Sequence, residues 1–351
     1  MTAEIYHSPF DRIHAFMSAP LSSESVQPMK PSGATPLASL LCTLTLDDLA
    51  AFFGAPKEEI QRLCGEELSR SNLRYRRLDP VRRDVLLLEI MQRIDSLDLP
   101  RAGKERQGAW ENGWQQNLDE FIRSGHDLDA LVPKYFKQGV PVRLLRDYVI
   151  PEDPNFVLNF TRLFRTWLFR RYLSDAGSIY EFGCGPASHL AWLAQEFPKK
   201  KLYGFDWARP SQAIIREMAG HYGWNISGGY FDLFAPPADL TLDPQSTVYT
   251  FGALEQVGTR HEDFLQFLLR ARPALCVHVE CVHEFYDEGI LSDYLALKYH
   301  KRRKYLDGYL TRLRELDAQG RVEIIRAHHQ QFGNLYDDSH SLIVWRPRVP
   351  Q

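Results

Sequence analysis

The chain has 351 residues, enough for two or three domains, and with 44% hydrophobic and 25% charged residues it has the composition of an ordinary globular protein. This composition excludes a wholly disordered, collagen-like or simple coiled-coil chain. The 42 Lys and Arg residues nearly balance the 45 Asp and Glu residues, so the net charge of −3 provides no overall positive field to attract nucleic acid or an anionic membrane.

Cysteine usage and the N-terminal sequence predict a cytoplasmic location. The 5 cysteines are scattered without CxxC spacing, which argues against a zinc ribbon, a redox dithiol or a disulfide scaffold. The first residues include acids and lack the apolar stretch of a signal peptide. The longest apolar runs are far below the ~20 residues that a membrane span needs.

The first hundred residues are predicted to contain a flexible arm and then a small helical domain. Residues 18–40 are rich in Ser, Pro and Gly and show no period, so we predict a flexible arm over 1–40. Within 41–100, Thr45 can cap a helix that ends at Gly54, and apolar residues recur at helical spacing over 80–94. A helix-turn-helix DNA binder is a disfavoured alternative, because acids are interspersed among the arginines of 70–83. This helical region also permits a homodimer.

Residues 101–177 are predicted to form a helical lid or substrate-binding extension. Trp110 and Trp114 lie four residues apart, and Tyr135 and Arg143 follow them. Residues 156–173 have the pattern of an amphipathic helix with aromatic residues along one face. The alternative is that these aromatic side chains serve only helix packing.

From residue 178 onward, strands and helices alternate. Strands are predicted at 179–182, 201–206, 229–231, 247–251 and 275–281, and helices at 188–196, 211–222 and 262–270. This alternation predicts an α/β fold with a doubly wound, mostly parallel sheet. Two final strand-like runs, 321–327 and 341–345, are joined only by a loop and predict a terminal antiparallel hairpin.

The most informative segment is a glycine-containing turn after the first of these strands. The strand ends at Glu181, and Gly183 and Gly185 follow, so backbone can approach a ligand closely there. A dinucleotide fingerprint would have glycine where this chain has Ser188, which weakens NAD or FAD. A carboxylate beside the turn suits a ligand with an ammonium group, and Asp206 at the next strand end can accept both hydroxyls of a ribose.

Together these residues resemble the class I S-adenosylmethionine (SAM)-dependent methyltransferases over 178–347, about half the chain. The resemblance implies a seven-stranded sheet with a reversed last hairpin, SAM as cofactor, and a SAM-binding domain at 178–351. It implies that Glu181, Gly183 and Gly185 surround the methionine end of the cofactor. The other cofactor-binding residues that it implies are Cys184 in the turn, Asp206 and Trp207 at the ribose, Phe231 and Asp232 at the adenine, and Phe251 and Gly252 beneath the sulfonium. One departure is Ala187, where many members have a third glycine.

Candidate catalytic residues follow the fourth and fifth predicted strands. We predict His283 as a general base, because its ordinary pKa suits physiological pH, with Glu255 orienting it or binding the acceptor and Glu284 beside it. The alternative is that each is a hydrogen-bonded loop residue with no part in the chemistry. No tight ligand spacing predicts a metal site.

The acceptor is predicted to be a small polar molecule that could be anionic. A helical stripe after the fifth strand extends into a basic run, and positive groups on its inner face would bind a phosphate or carboxylate. The residues predicted to contact the acceptor are Trp110, Trp114, Tyr135, Arg143, Tyr286, Lys298, Tyr299 and Arg302. O-methylation of a sugar, nucleotide sugar or secondary metabolite is favoured. The alternatives are N- or S-methylation of an amino-acid-like molecule, an RNA or protein acceptor, and a basic run that is merely solvated.

Overall fold

The computed structural model describes residues 40–96, 99–133 and 139–348. The predicted arm, apart from Leu40, therefore lies outside the described residues, and so does Tyr135. The helices found in the described ranges are all too short or too polar to cross a lipid bilayer.

The N-terminal half combines helices with short strands. Its elements are β1 (Leu41–Thr43), α1 (Leu46–Phe53), α2 (Lys57–Arg70), β2 (Arg74–Arg77), α3 (Pro80–Asp95), α4 (Gln107–Arg123), β3 (Val142–Leu144), β4 (Asp147–Pro151) and α5 (Phe156–Tyr172). As predicted, Thr45 caps α1: it accepts a hydrogen bond from the Asp48 N–H, the Asp48 carboxylate accepts one from the Thr45 N–H, and Gly54 ends the helix with φ +58°.

The C-terminal half alternates strands and helices as the sequence predicted. Its elements are β5 (Ser178–Phe182), α6 (Ser188–Glu196), β6 (Lys201–Asp206), α7 (Arg209–Tyr222), β7 (Ile226–Tyr230), β8 (Ser246–Phe251), α8 (Glu262–Ala271), β9 (Leu275–Glu280), α9 (Leu291–Arg303), α10 (Tyr309–Ala318), β10 (Val322–His328), β11 (Phe332–Gly333) and β12 (Ser341–Pro347).

The larger sheet confirms the predicted architecture. Its seven strands lie in the order β7-β6-β5-β8-β9-β12-β10. Strands β5 to β9 are parallel, whereas β12 runs antiparallel to both β9 and β10, which makes the reversed terminal hairpin. The order reverses at β5, so a crevice forms where β5 and β8 end, as in other doubly wound sheets.

A second sheet was not predicted. It is antiparallel, with the order β1-β2-β4-β3-β11. Residues 41–100 are therefore not purely helical, and the loop between β10 and β12 supplies β11, which pairs with β3 across the predicted domain boundary. Strands of two to five residues contain too few positions for an alternating pattern to be visible in sequence.

The predicted amphipathic helix is confirmed as α5, which joins the two halves of the protein. Its Trp167 stacks on Phe53 of α1 with ring centroids 5.4 Å apart, and its Phe169 packs against Tyr249 of β8 at 5.2 Å. Both α5 side chains are fully buried. The N-terminal extension is thus part of the same hydrophobic core as the larger sheet.

Candidate functional site

The glycine turn after β5 has the backbone that the sequence pattern required. Gly183 and Gly185 have φ of +75° and +52°, in the left-handed region that favours glycine. A Cβ on Gly183 would lie 2.3 Å from the Cβ of Ala253, at the end of β8. The turn therefore brings the ends of β5 and β8 together more closely than any side chain would permit.

A cavity of about 740 Å³ lies over this turn. It is lined by residues at the ends of β5 and β8, by α4, α5, α6 and the end of α9, and by the loop that carries β11. Its size is typical of a small-molecule or cofactor site. The strand ends thus form the floor, and the N-terminal helices form the walls.

A buried acid and a partly buried arginine line the cavity beside the glycine turn. Glu181 is 1% exposed, and its Oε1 lies 3.0 Å from His189 Nδ1, whereas its Oε2 has no hydrogen-bond partner. On α5, the guanidinium of Arg165 lies 5.5 Å from the ring of Trp192, and its Nε also has no partner. Burial, together with the charge of Arg162, lowers the pKa of Arg165 to about 10, so it stays charged at neutral pH. The two side chains present opposite charges to the same cavity.

Asp206 lies at the end of β6, beside the turn. Its Oδ2 accepts a hydrogen bond from Gly185 N and its Oδ1 accepts one from Ala208 N, both at 2.8 Å. Burial raises the pKa of Asp206 to about 6, although these two N–H groups oppose the rise. Each oxygen keeps a further lone pair for a ligand hydroxyl.

Trp110 and Trp114 lie against the cofactor turn rather than over a separate acceptor pocket. Their rings stack with centroids 5.3 Å apart, and the Trp114 ring would be 3.1 Å from a Cβ on Gly185. Both also line a small cavity of about 70 Å³, with Asp206, Trp207, Phe231 and Gly252 on its other side. Asp232 instead forms an ion pair with Lys104 at 3.2 Å and accepts a hydrogen bond from Phe234 N at 2.8 Å.

Of the three predicted catalytic residues, Glu255 lines the main cavity. Its Oε1 accepts a hydrogen bond from Gln256 Nε2 at 2.9 Å, and its Oε2 lies 3.5 Å from Cys281 Sγ. Burial raises the pKa of Glu255 above the ordinary value of a glutamate. Its backbone N–H donates to Glu280, a fully buried carboxyl at the end of β9 whose pKa burial raises to about 8.

The structure places His283 and Glu284 elsewhere. Neither is among the described residues that line the cavity, because the chain leaves the strand end after Cys281 and makes a short 3₁₀ turn toward α10. Glu284 Oε1 accepts a hydrogen bond from Thr311 N at 3.0 Å, in the first turn of α10. Burial lowers the pKa of His283. The geometry therefore does not support His283 as the base.

Most of the basic run after β9 also points away from the cavity. Lys298 forms an ion pair with Asp95 at 2.8 Å, and Arg302 donates to backbone carbonyls at the end of α3, with Nη2 3.1 Å from the Asp95 oxygen. Of the predicted acceptor residues in this run, only Tyr299 lines the cavity. The prediction missed Arg303, one turn further along, which also lines it.

Arg143 and Tyr286, predicted to bind the acceptor, have structural partners instead. Arg143 is 0% exposed, and its guanidinium donates to both carboxylate oxygens of Asp338, at 2.9 and 3.1 Å, and to the backbone oxygen of Ser292 at 2.7 Å. Tyr286 Oη accepts a hydrogen bond from Asp338 N at 2.8 Å. These contacts fix the loop between β10 and β12 against β3.

Other cavity residues were missed because nothing local marks them. His340 lines the cavity with its ring 5.0 Å from that of Phe251, and burial lowers its pKa to about 4, so it is neutral at physiological pH. Arg106, Arg162 and Arg165 also line it. Arg162 and Arg165 belong to the polar side of α5, and only the fold shows that this side borders the cavity.

One group of possible metal ligands is assembled by the fold. Donor atoms of Cys281, His300 and Asp337 lie within 4.8 Å of one another, and all three residues are buried. Asp337 already accepts hydrogen bonds from His300 Nε2 at 3.0 Å and from Asn334 Nδ2 at 2.6 Å. Although desolvation raises it, these contacts hold the pKa of Asp337 below its ordinary value. The group thus anchors the 334–339 loop to α9.

No family model matches the chain, and no curated protein matches it. Among solved structures, similar ones include the [4+2]-cyclase SpnF, at 13% identity and a TM-score of 0.47, covering 72% of this chain and 99% of the cyclase. A geranyl diphosphate C-methyltransferase from Streptomyces coelicolor A3(2) has 12% identity and a TM-score of 0.42, covering 66% and 98%. A SAM-dependent methyltransferase from Aquifex aeolicus has 15% identity and a TM-score of 0.38, covering 53% and 89%.

These likenesses are too distant to carry an argument about activity, and similar folds host different reactions. The fold itself is decided by the strand order, with five parallel strands, a switch point at β5 and a reversed last hairpin. This is the fold of the class I SAM-dependent methyltransferases, as the sequence resemblance implied.

Proposed function

We propose that the protein is a SAM-dependent methyltransferase that acts on a small polar acceptor, with O-methylation favoured. The observation that carries this proposal is the pair of oppositely charged groups beside the glycine turn, a buried acid and a partly buried arginine. Among the described residues, Glu181 Oε2 and Arg165 Nε both lack a hydrogen-bond partner, and both belong to residues that line the cavity. A buried polar atom without a partner is costly, and the ammonium and carboxylate of an amino-acid end would satisfy both atoms.

The remaining residues at the turn fit the nucleoside part of SAM. Asp206 has lone pairs free for the two ribose hydroxyls, and Trp207 and Phe231 offer aromatic surfaces for the adenine. The cavity of about 70 Å³ between these residues and the Trp110–Trp114 pair is smaller than a nucleoside. We therefore expect the two tryptophans to shift when the nucleoside binds.

When bound, SAM supplies a methyl group on a positively charged sulfur. The protein has to hold the acceptor in line with that group and remove a proton if the acceptor is a hydroxyl. Glu255 is the described residue best suited to receive this proton, because it lines the cavity at the end of β8 and burial raises its pKa. Neutral His340, whose ring lies beside that of Phe251, can orient the acceptor.

The position of the cavity supports a small acceptor over a macromolecule. Its walls come from α4, α5 and the 332–340 loop, so the acceptor has to fit between these elements. Two residues of the predicted basic run are held away from the cavity: Lys298 forms an ion pair with Asp95, and Arg302 donates hydrogen bonds to backbone oxygens. A small metabolite fits this geometry.

Equilibrium binding by calorimetry tests the proposal. We expect SAM and its demethylated product S-adenosylhomocysteine (SAH) to bind and NAD not to bind. The Asp206→Ala variant should weaken SAH binding about 100-fold, since two hydrogen bonds to a charged group are lost. Asp243→Asn is the matched control, because Asp243 accepts from Tyr203 Oη at 3.1 Å away from the cavity. Binding of NAD instead of SAH would refute the proposal.

A further inference from the structure

A second pair of charged groups lies at another part of the same cavity, beside Glu255. Arg106 precedes α4, and Arg303 is the last residue of α9; both line the cavity. Their chain segments are tied together, since Ala102 N donates to the backbone oxygen of Arg303 at 2.6 Å. Two distant parts of the chain thus present guanidinium groups to one wall.

Neither guanidinium is neutralised by direct contact with an acid. No described carboxylate forms an ion pair with either one, and the Nε of each is buried without a hydrogen-bond partner. Arg303 lies over the rings of Tyr305 and Tyr299, at 4.8 and 5.6 Å, and Arg106 lies 5.8 Å from the ring of Trp110. The pKa of Arg106 is lowered mainly by desolvation and next by the positive charge of Arg303. The two guanidiniums are therefore near enough to repel each other.

The nearby acids are already occupied. Glu255 receives hydrogen bonds from Gln256 and Cys281, and Asp337 receives them from His300 and Asn334. They act on Arg303 through space but leave its Nε, and that of Arg106, without an acceptor. Two adjacent, partly buried cations whose Nε donors are unused are stabilised by an anion with several acceptor oxygens.

We infer that Arg106 and Arg303 bind the anionic group of the acceptor, so that the acceptor is a small molecule with a phosphate or a carboxylate close to its nucleophile. This inference rests on the proposed function. The charge of Glu255 acts on both guanidiniums, so Glu255 lies near them. The acceptor's nucleophile, which would face Glu255, and its anionic group, which would face the arginines, therefore lie on the same side of the acceptor. Tyr299, Tyr305 and Trp110, over which the guanidiniums lie, hold the two arginines at this wall of the cavity.

The carboxylate of SAM is the other possible source of this anion. The structure favours Arg165 for that carboxylate, because Arg165 is the electrostatic neighbour of Glu181, the residue suited to the SAM ammonium. Arg106 and Arg303 are instead neighbours of Glu255. The cavity thus contains one arginine site for the cofactor and one for the acceptor.

The experiment uses inorganic phosphate as the probe. The melting temperature of the full chain is measured as phosphate replaces chloride at constant ionic strength, since a ligand that binds the folded state raises it. We expect a rise for the wild type and for Lys301→Gln, which removes an exposed charge of the same helix that pairs with Glu288. The phosphate dissociation constant should increase at least ~10-fold in Arg106→Gln and in Arg303→Met. Equal responses in all four proteins would overturn the inference.

Calorimetry with SAH separates the two sources of the anion. We expect Arg106→Gln to bind SAH within about twofold of the wild type and Arg165→Gln to bind it about 10-fold more weakly. If Arg106→Gln loses SAH affinity and phosphate competes with SAH, the pair binds the cofactor carboxylate and the inference fails. If the wild type responds to phosphate but does not bind SAH, the anion site stands and the proposed function fails.

Discussion

At the scale of single residues, Asp206 shows how the protein sets the protonation of its proposed ribose ligand. Desolvation raises its pKa to about 6, while the N–H groups of Ala208 and Gly185 favour the ionised form. An ionised carboxylate accepts hydrogen bonds from both ribose hydroxyls, whereas a protonated one gives up part of that capacity. Cofactor affinity should therefore depend on pH in the range where Asp206 titrates.

We predict that SAH binding to the wild type is independent of pH above about 7 and weakens by up to about tenfold per pH unit below about 6, because the ligand binds the ionised form. Calorimetry between pH 5 and 8 measures this. Asp206→Asn should bind weakly at every pH and show no inflection near 6. A wild-type affinity that is constant down to pH 5 would contradict the prediction.

Gly183 and Gly252 differ in what an added Cβ would contact. Gly183 and Gly252 both have positive φ, +75° and +64°, but only Gly183 faces a close neighbour, the Cβ of Ala253 at 2.3 Å; nothing lies within 4 Å of a Cβ on Gly252. Gly252→Ala therefore tests backbone strain alone, which costs about 1–2 kcal/mol. Gly183→Ala adds the steric overlap.

We predict that Gly183→Ala lowers the free energy of unfolding by about 1–3 kcal/mol more than Gly252→Ala does, since Ala253 is fixed by the hydrogen bond from its N–H to Glu280 at 3.1 Å. Urea unfolding of the two variants measures the difference. Equal losses of stability would show that the turn relaxes around the added methyl group.

At the scale of elements, the loop between β10 and β12 is organised by one buried arginine. Arg143 of β3 holds Asp338 of the loop, and β11 of the same loop pairs with β3. This loop lines the cavity through residues such as Asp337 and His340. An arginine that the sequence suggested for substrate binding therefore shapes the site from outside it.

We predict that Arg143→Met destabilises the protein by about 3–5 kcal/mol, because methionine keeps much of the volume but leaves Asp338 and Asp293 without their buried cation. Arg346→Gln is the control: its ion pair with Glu323 is half-exposed, at 53% and 33%, and its loss should cost less than about 1 kcal/mol. Chemical denaturation of both variants measures this. A small cost for Arg143→Met would contradict the prediction and would mean that Arg146 and His329, which also contact these two carboxylates, are enough to stabilise them.

At the scale of the whole molecule, the N-terminal extension and the larger sheet depend on each other. Phe169 and Trp167 of α5 are fully buried between the two halves, and β3 pairs with β11 from beyond β10. The boundary that the sequence suggested at 177/178 therefore marks where a recognisable sequence pattern begins. It does not mark the start of an independently packed domain. Removal of 1–177 would expose the apolar surface that α5 covers.

We predict that a fragment of residues 178–351 shows no cooperative thermal unfolding and aggregates, because it loses the buried aromatic side chains of α5. Circular dichroism and light scattering, with the full chain as reference, measure this. A fragment that unfolds cooperatively and binds SAH would contradict the prediction.

The sequence by itself determined the features that depend on residue type over a short stretch. The alternation after residue 178, the glycine turn, the acids at the ends of β5 and β6, the cap of α1 and the helix α5 all follow from local periodicity and backbone preference. Glu255, which lines the cavity, was also predicted this way, because it follows a strand whose end was expected to lie at the ligand site.

Only the tertiary structure decided which polar side chains reach the cavity. Lys298, Arg302 and Arg303 lie within six residues, yet only Arg303 faces inward, because the packing of α9 against α3 sets the rotation of the helix. Likewise Arg143 meets Asp338 across 195 residues of chain. Local patterns determine the elements of this protein, whereas contacts between distant segments determine the direction of each charged side chain, and with it the chemistry of the site.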